Sequence, residues 1–332
     1  MKRILILALS FELSVLSFAF CQTPPVQKAT LANGMRVLIL ERHNSPTIAF
    51  RIAYAVGAVN DIPGKSGLAH LFEHMAFKGT TSLNSKDYAK EKPLLDALEK
   101  AADAAIREET GPNPDPKKLA ELKQAQEAAQ KAADEWMEKD EYEKVLTENG
   151  AEHFNAHTAD DYTMYEVSLP TNRLELWMTM ESDRFRNPVL REFYRERDVV
   201  MEERRMNYES KPDGKLWENF VTHAYVAHPY HNEGIGWMSD LKRLTAQDAR
   251  EFFAANYGPS KIVISVVGDV DAKKTLALFK RHFETLPSPP LNQGRLTEEP
   301  VQEGERRTIV RFQAEPKLML GYHKPAITGP EA

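Results

Sequence analysis

The run GLAHLFEHMAFKGT, residues 67–80, decides how the rest of this 332-residue chain is interpreted. Gly67 ends the loop before the predicted helix, and Gly79 follows the helix as a stop. The apolar residues between the two glycines can bury one side of that helix. We therefore predict a short helix over about residues 67–77. His70 and His74 are four residues apart, so they stand on the same helical face one turn apart. Two imidazoles in this arrangement can reach one metal ion at about 2.0–2.1 Å.

Glu73 lies on the shoulder of the same face, which is the position that a general base needs. Zinc lowers the pKa of its bound water to about 7, and a nearby carboxylate can then accept the water proton. Together the residues form H-x-x-E-H, an inverzincin zinc-peptidase pattern. The pattern predicts one Zn²⁺ per chain, although the donor types also suit manganese or cobalt. The alternative is a chance pattern of ordinary core or surface histidines.

A third metal ligand is required, because a catalytic zinc takes three protein ligands and keeps one open position. The run FYRERDVVMEERRMNYES, residues 193–210, reads as a helix and offers Glu196, Glu202 and Glu203. Glu196 and Glu203 share a face to within about 20°, whereas Glu202 points about 100° away from Glu203. Spacing leaves all three open, and a solvated charged helix is the alternative.

Composition is that of an ordinary soluble globular protein, with 42% hydrophobic and 28% charged residues. The length gives room for about two domains. A net charge of −6 argues against nucleic acid as a partner. Cys21 is the only cysteine, so the chain has no internal disulfide and no cysteine-based metal site.

The N-terminal residues 1–21 have a basic start and an apolar stretch that ends in small residues, which predicts a secretory signal peptide. Cleavage near Ala19 or Cys21 would leave a periplasmic or secreted protein. The stretch is too interrupted for a membrane span, and none is expected in the mature chain. A lipoprotein anchored through Cys21 is the alternative, but Phe20 is bulky for that processing.

Patterning further along the chain predicts an α+β fold, with a mixed or antiparallel sheet and helices packed on one face. Strands are expected at 35–40, 47–56, 151–169 and 261–267. Helices are expected at 172–185, 192–210, 214–226, 247–256 and 272–282.

Residues 88–148 differ from the rest, being rich in Ala, Lys and Glu and broken once by GPNPDP at 111–116. They predict an inserted antiparallel helical hairpin. Its helically spaced apolar positions are Leu94, Leu98, Ala101 and Ala105, then Leu122, Ala125, Ala129, Ala132 and Trp136. The insertion holds 10 Lys and Arg against 16 Asp and Glu, so it carries the whole net charge. A packed, solvated hairpin is favoured over a gate or docking arm.

Several ordered segments within residues 27–290 resemble the pitrilysin/insulinase family of zinc peptidases, in particular its processing-peptidase-like bacterial members. Besides residues 67–80, these segments are TLANGMRVLILERHNSPTIAFRIAYAVGA at 30–58, FNAHTADDYTMYEVSLP at 154–170, ERDVVMEERR at 196–205 and HPYHNEGIGWMSDLKRLTAQDAREFFAANYGPSKIVISVVGDVD at 228–271. The resemblance implies that His70, His74 and Glu203 bind zinc, that Glu73 is the general base, and that Glu196 supports the site from behind.

The resemblance also implies that an edge strand carrying Asn155 and Ala156 receives the substrate backbone. His157 follows this pair, and either lines a side-chain pocket or is an ordinary exposed strand residue.

The chain departs from the family pattern in two places. The 128 residues between His74 and Glu203 exceed the usual gap, and residues 88–148 account for the excess. Family members usually have two similar halves, whereas here a linker at 286–304 leads only into the start of a second peptidase-like domain at 305–332. An incomplete sequence, a second chain that supplies the missing half, and impaired activity are the three explanations.

We therefore expect a zinc-dependent endopeptidase that hydrolyses extended or unfolded peptides bound as an added strand. The alternative is a non-catalytic or partner-dependent subunit of a peptidase-like heteromeric assembly. The presence of Glu73 argues for the enzyme, because a structural subunit does not need a general base.

Overall fold

A single mixed sheet organises the protein in the computed structural model, which describes residues 25–290 and 296–326. The signal peptide predicted at residues 1–21, with Cys21, lies outside the described residues. The strand order is β1-β2-β6-β3-β5-β4, and the strands are β1 Gln27–Thr30, β2 Arg36–Glu41, β3 Thr47–Tyr54, β4 Glu152–Thr158, β5 Thr163–Pro170 and β6 Ile262–Gly268. β2 and β6 run parallel, and the other neighbouring strands run antiparallel.

The helices of the described residues are α1 Leu68–Met75, α2 Tyr88–Glu109, α3 Pro116–Asp134, α4 Glu141–Glu148, α5 Leu174–Arg186, α6 Phe193–Arg204, α7 Pro212–Ala224, α8 Met238–Leu241, α9 Ala246–Asn256 and α10 Ala272–Phe283. A π-helical turn, Arg205–Glu209, continues α6. The α+β prediction is confirmed, and most predicted elements occur with bounds shifted by a few residues. The segment predicted as strand at 151–169 forms two antiparallel strands, β4 and β5. The sequence analysis missed the short edge strand β1.

One face of the sheet is buried by helices. Alternate residues of β3 are buried, and those of β5 match them across the ladder, as in the pairs Phe50 with Val167 and Ile52 with Tyr165. Trp177 of α5 stacks on Phe50 with 4.0 Å between ring centroids. A period of two residues places every second side chain on one face, so this alternation fixes the face that the helices cover.

The predicted hairpin is present as α2 and α3, but its buried faces differ from the predicted ones. In α2, the predicted Leu98 and Ala105 are buried, but Leu95 and Ala102 are buried in place of Leu94 and Ala101. In α3, Ala133 is buried, while the predicted Ala125 is exposed. Alanines at adjacent positions make the helical periodicity ambiguous, so packing against neighbours selected the face. The stretch predicted as the end of the hairpin forms the separate helix α4.

The described residues after α10 contain no helix or strand in 284–290 or 296–326. The later segment contacts the C-terminal end of α7. The Glu299 carboxylate accepts hydrogen bonds from the backbone N–H groups of residues 226–228, at 2.9–3.0 Å. Arg306 donates to the carbonyl of Ala224 at 2.6 Å. The linker and second domain proposed for this part of the sequence remain predictions.

The start of α1 depends on a tightly packed glycine. Gly67 has φ of +91°, a left-handed conformation that glycine adopts without the strain of a side chain. A Cβ at Gly67 would lie 2.7 Å from the carbonyl oxygen of Ile235 and 2.9 Å from a methyl group of Leu241. Gly64 has a similar φ of +85°, but a Cβ there would meet nothing within 4 Å. An alanine at Gly64 would therefore introduce backbone strain alone, whereas an alanine at Gly67 would introduce both backbone strain and a steric clash.

Gly64→Ala should lower the free energy of unfolding by about 1–2 kcal/mol, which is the cost of a left-handed alanine. Gly67→Ala should lower it clearly further, because the Ile235 carbonyl belongs to packed backbone and must move. Urea unfolding of both variants measures the difference. Equal losses in the two variants would show that the contact around Gly67 does not matter.

Candidate metal centre and active site

Two part-buried carboxylates hold the segment from which α1 begins. Asp61 accepts hydrogen bonds from the backbone N–H groups of Gly67 at 2.7 Å and Ala69 at 3.0 Å. Asp240 accepts from both the backbone N–H and the hydroxyl of Ser66, at 3.1 and 2.7 Å. Burial raises the pKa of Asp61 to about 7, with its backbone donors acting in the opposite direction. These contacts satisfy donors that the first turn of a helix leaves free.

The side chains of His70, His74 and Glu203 converge between α1 and the last turn of α6. Glu203 Oε2 lies 3.7 Å from Nε2 of His70 and 3.8 Å from Nε2 of His74. One ligand atom from each residue lies within 4.8 Å of the other two, and no other such group of three occurs in 25–290 or 296–326. Tetrahedral zinc ligands at about 2.0–2.1 Å would be about 3.4 Å apart. Glu203 Oε2 is thus within a few tenths of an ångström of that separation from each imidazole.

The Glu203 carboxylate and the two imidazoles face one another without forming hydrogen bonds. The separations of 3.7 and 3.8 Å are too long for hydrogen bonds, so the carboxylate and the imidazoles do not satisfy each other. The neighbouring Oε2 of Glu73 is also buried without a hydrogen-bond partner. Buried polar atoms usually have a partner. A cation among the three donors, with a water molecule beside Glu73, would supply what these atoms lack.

Glu196 binds the far side of His74. Its Oε2 lies 3.1 Å from Nδ1 of His74, and its Oε1 lies 2.7 Å from the ammonium of Lys78. The Nδ1–H of the imidazole donates to this carboxylate, which leaves Nε2 turned toward His70 and Glu203. Burial tends to raise the pKa of Glu196, but its bonds to His74 and Lys78 outweigh it and lower the pKa.

The two imidazoles differ in their electrostatic surroundings. Burial, and then the neighbouring His74, lower the pKa of His70 to about 4. Burial also acts to lower the pKa of His74, but the hydrogen bond and charge of Glu196, together with Glu203 and Glu73, raise it above its usual value. His70 is therefore neutral at physiological pH, which is the form that binds a metal, while His74 holds its proton more tightly.

Glu73 is placed to act as a base beside the three donors. Burial raises the pKa of its carboxyl group, while the Thr158 hydroxyl and the charges of His74 and His157 oppose the shift. A raised pKa brings a carboxylate closer to the operating pH, where proton transfer is most efficient.

The strand β4 is the outer strand of the sheet beside α1. In the described residues it pairs only with β5, in a register that sets Asn155 opposite Glu166 and His157 opposite Met164. The side chains of Asn155 and His157 are exposed, whereas Ala156 is half-buried and packs on the core. The outer edge of β4 therefore offers free backbone groups close to Glu73.

The structure separates the three glutamates that spacing left open. Glu203 joins the two histidines, Glu196 contacts His74 from behind, and Glu202 is an exposed partner of Arg205 at 2.9 Å. Sequence reasoning missed Lys78 and Asp61. Lys78 follows His74 by four residues, a helical interval that could have drawn attention to it.

Comparison with known proteins identifies the family. The profile described as "Insulinase (Peptidase family M16)" matches residues 36–102 and 127–236, which is more than half of the chain. A second profile, "Peptidase M16 inactive domain", matches residues 243–332. The chain belongs to the insulinase, or M16, peptidase family. The first match leaves out 103–126, the outer part of the hairpin.

Individual relatives agree with this assignment. The chain is 28% identical over 316 residues to the zinc protease PqqE of Helicobacter pylori, covering 91% of this chain and 57% of that protein. It is 22% identical to the mitochondrial-processing peptidase subunit beta of Lentinula edodes, covering 83% and 48%. The chain spans about half the length of the curated relatives it matches.

Solved structures share the fold. A protease from Helicobacter pylori superposes with a TM-score of 0.63 at 28% identity, covering 83% of this chain and 55% of that one. The first half of the periplasmic protease PqqL from Escherichia coli gives 0.58 at 21% identity, covering 83% and 49%. Within the described part of the chain, no helix has the length and apolar character needed to cross a bilayer.

In the metal-free protein, His74 should titrate above pH 6.5 and His70 near pH 4, because only His74 has a carboxylate on its Nδ1. Glu196→Gln should lower the pKa of His74 and leave that of His70 unchanged. Imidazole NMR titration measures both residues. Glu202→Gln is the matched control on the same helix and should move neither. A His74 pKa that Glu196→Gln leaves in place would contradict this account.

Proposed function

We propose that this chain is the zinc-dependent catalytic half of a metalloendopeptidase that cleaves extended or unfolded peptides. The observation that carries the proposal is the convergence of two imidazoles and a carboxylate beside the unpartnered, buried oxygen of Glu73. The family assignment and the relatives named as zinc proteases support it. A purely structural subunit would need neither the convergence nor the base.

His70, His74 and Glu203 would hold one Zn²⁺ per chain. The ion, when bound, supplies an acidified water and polarises the scissile carbonyl. Glu196 keeps the His74 imidazole oriented, with Nε2 toward the ligand set. His70 is neutral over the physiological range, so it needs no deprotonation before it binds.

Glu73 then carries the proton through the reaction. Its carboxylate accepts a proton from the attacking water, and the resulting carboxylic acid donates it to the departing amine. The raised pKa of Glu73 favours both steps, because the group must take up and release a proton near the operating pH.

Substrate binding is proposed at the free edge of β4. A peptide laid along that edge would form main-chain hydrogen bonds with the strand around Asn155 and Ala156. His157 is exposed beside them and would contact a substrate side chain. This mode selects extended or unfolded peptides, since a folded protein does not offer a free strand.

The compartment and assembly are proposed from the relatives. The Escherichia coli relative PqqL is described as a periplasmic protease, which agrees with the signal peptide predicted at residues 1–21 and with a periplasmic or secreted location. The alternative role is a non-catalytic or partner-dependent subunit, in which a second chain supplies the rest of the substrate chamber. A partner-dependent subunit would bind zinc and, on its own, leave peptides uncut.

Glu73→Gln should keep zinc affinity within a few-fold of wild type and lower cleavage at least about 100-fold, because it removes the base and leaves the three ligands. The measurement is mass-spectrometric cleavage of a mixed unfolded-peptide pool, with zinc content determined in parallel. Cleavage by the variant within tenfold of wild type would refute the role of Glu73. Zinc binding without cleavage by either protein would favour the partner-dependent subunit.

Glu203→Ala should weaken zinc binding by at least about 100-fold, because two imidazoles alone are a poor site for zinc. Glu202→Ala is the matched control, since it removes the adjacent but exposed carboxylate. Competition with a chromophoric chelator measures both affinities. Equal losses would mean that Glu203 is not the third ligand.

A further inference from the structure

We propose that Lys78 and Arg191 form a reciprocal clamp between α1 and α6, and act as positioning residues for the zinc site. α1 carries His70 and His74, and α6 carries Glu203. The clamp joins the end of one helix to the start of the other. This inference rests on the proposed zinc-peptidase function.

Lys78 forms the first half of the clamp. It lies three residues after α1 ends, and its ammonium bridges Glu192 Oε2 at 3.4 Å and Glu196 Oε1 at 2.7 Å. Glu192 is the residue from which α6 begins, and Glu196 lies one turn further on. The three side chains are largely buried, at 10–19% exposed. An ion pair with this little solvent is screened less than one on the surface, and removing one partner leaves the other charge buried without compensation.

The bridge also fixes the plane of the Glu196 carboxylate. Lys78 uses Oε1, whereas His74 uses Oε2, so the two donors do not compete for one oxygen. A carboxylate held at one oxygen has its other oxygen set in place for the imidazole. Carboxylates that orient a metal-binding histidine in this way tune its affinity for the metal.

Arg191 forms the second half of the clamp, since it precedes α6 and contacts the segment that follows α1. From just before α6, its guanidinium donates to the backbone carbonyl of Lys78 at 3.2 Å and to that of Leu83 at 3.1 Å. Its other nitrogens bind both oxygens of Glu91 on α2, at 2.5 and 2.8 Å. Arg191 and Glu91 are each only 1% exposed. The segment that follows α1 therefore contacts α6 through Lys78, and the segment that precedes α6 contacts the segment after α1 through Arg191. Glu91, at the base of the hairpin, binds Arg191.

The clamp would affect the distances among the three candidate ligands rather than their chemical properties. The three candidate ligands come from two helices, so their separations depend on how α1 is set against α6. Packing tolerates small sliding movements, whereas a metal site requires ligands within a few tenths of an ångström. The clamp adds directional contacts to the hydrogen bond between His74 and Glu196, which also joins the two helices.

The test compares zinc affinity of the full chain with Lys78→Met, Lys78→Arg and a control, Lys65→Met. Lys65 also bridges two carboxylates, Asp248 at 2.6 Å and Glu251 at 3.4 Å, but it precedes α1 and does not touch Glu196. Lys78→Met should weaken zinc binding about 10–100-fold, the usual effect of losing support behind a ligand. Lys78→Arg should restore most of the affinity, and Lys65→Met should change it less than threefold.

Two results would overturn the clamp. One is Lys78→Met binding zinc within threefold of wild type, and the other is equal weakening by Lys65→Met. If Lys78→Met does not fold, Glu192→Gln replaces it, because this change removes the charge of the outer partner of the bridge, with Arg195→Met as the control for the contact of Glu192 Oε1 with Arg195 at 3.2 Å. A loss of several-fold in zinc affinity is then expected, and no loss overturns the inference.

A second measurement separates the clamp from the peptidase proposal. In the metal-free protein, the Nδ1–H of His74 bonded to Glu196 should exchange slowly with solvent. Lys78→Met should speed this exchange by about tenfold or more, since the carboxylate that accepts the proton is no longer held. If wild type binds no zinc, the proposed function fails, while faster exchange in the variant still supports the clamp. Unchanged exchange refutes the clamp.

Discussion

The constraint on which the site depends is that charged groups and candidate metal ligands are held together, largely shielded from solvent, without neutralising one another. His74 achieves this through one hydrogen bond, from Nδ1 to Glu196 at 3.1 Å. That bond satisfies one nitrogen and leaves Nε2 facing His70 and Glu203, at distances too long for bonding between them. Without Glu196 the buried imidazole would turn toward another acceptor or lose its proton. The position of α6 therefore matters as much as that of α1.

The sheet supports the packing of the helices on its buried face and presents a free edge at its outer strand. Its buried face provides the surface on which the helices pack, through residues such as Phe50 and Tyr165. The strand β4 is at the edge of the same sheet and also contacts α1, so its free backbone groups lie near that helix. A peptide that extends this sheet would lie beside Glu73. In this way one sheet positions both the helix that carries Glu73, the proposed base, and the edge along which the proposed substrate would lie.

The family comparison places the unusual part of the chain within the hairpin. The insulinase profile matches through residue 102 and again from 127, so it leaves unmatched the outer part of α2, the turn and the start of α3. Glu91, the partner of Arg191, lies in the matched part near the base. The hairpin can thus carry an added tip while its base still contacts the helices around the site.

The sequence by itself determined the features that depend on local spacing. The four-residue interval of His70 and His74 places both on one face of any helix, and alternation along β3 and β5 predicts a half-buried sheet. Only the tertiary structure decided which glutamate joins the histidines, because Glu196, Glu202 and Glu203 differ in surroundings and hardly in local pattern. It also decided the buried face of α2, where adjacent alanines leave the helical phase undefined. Lys78 and Asp61 escaped sequence reasoning because their contacts join segments distant along the chain or depend on a particular loop path.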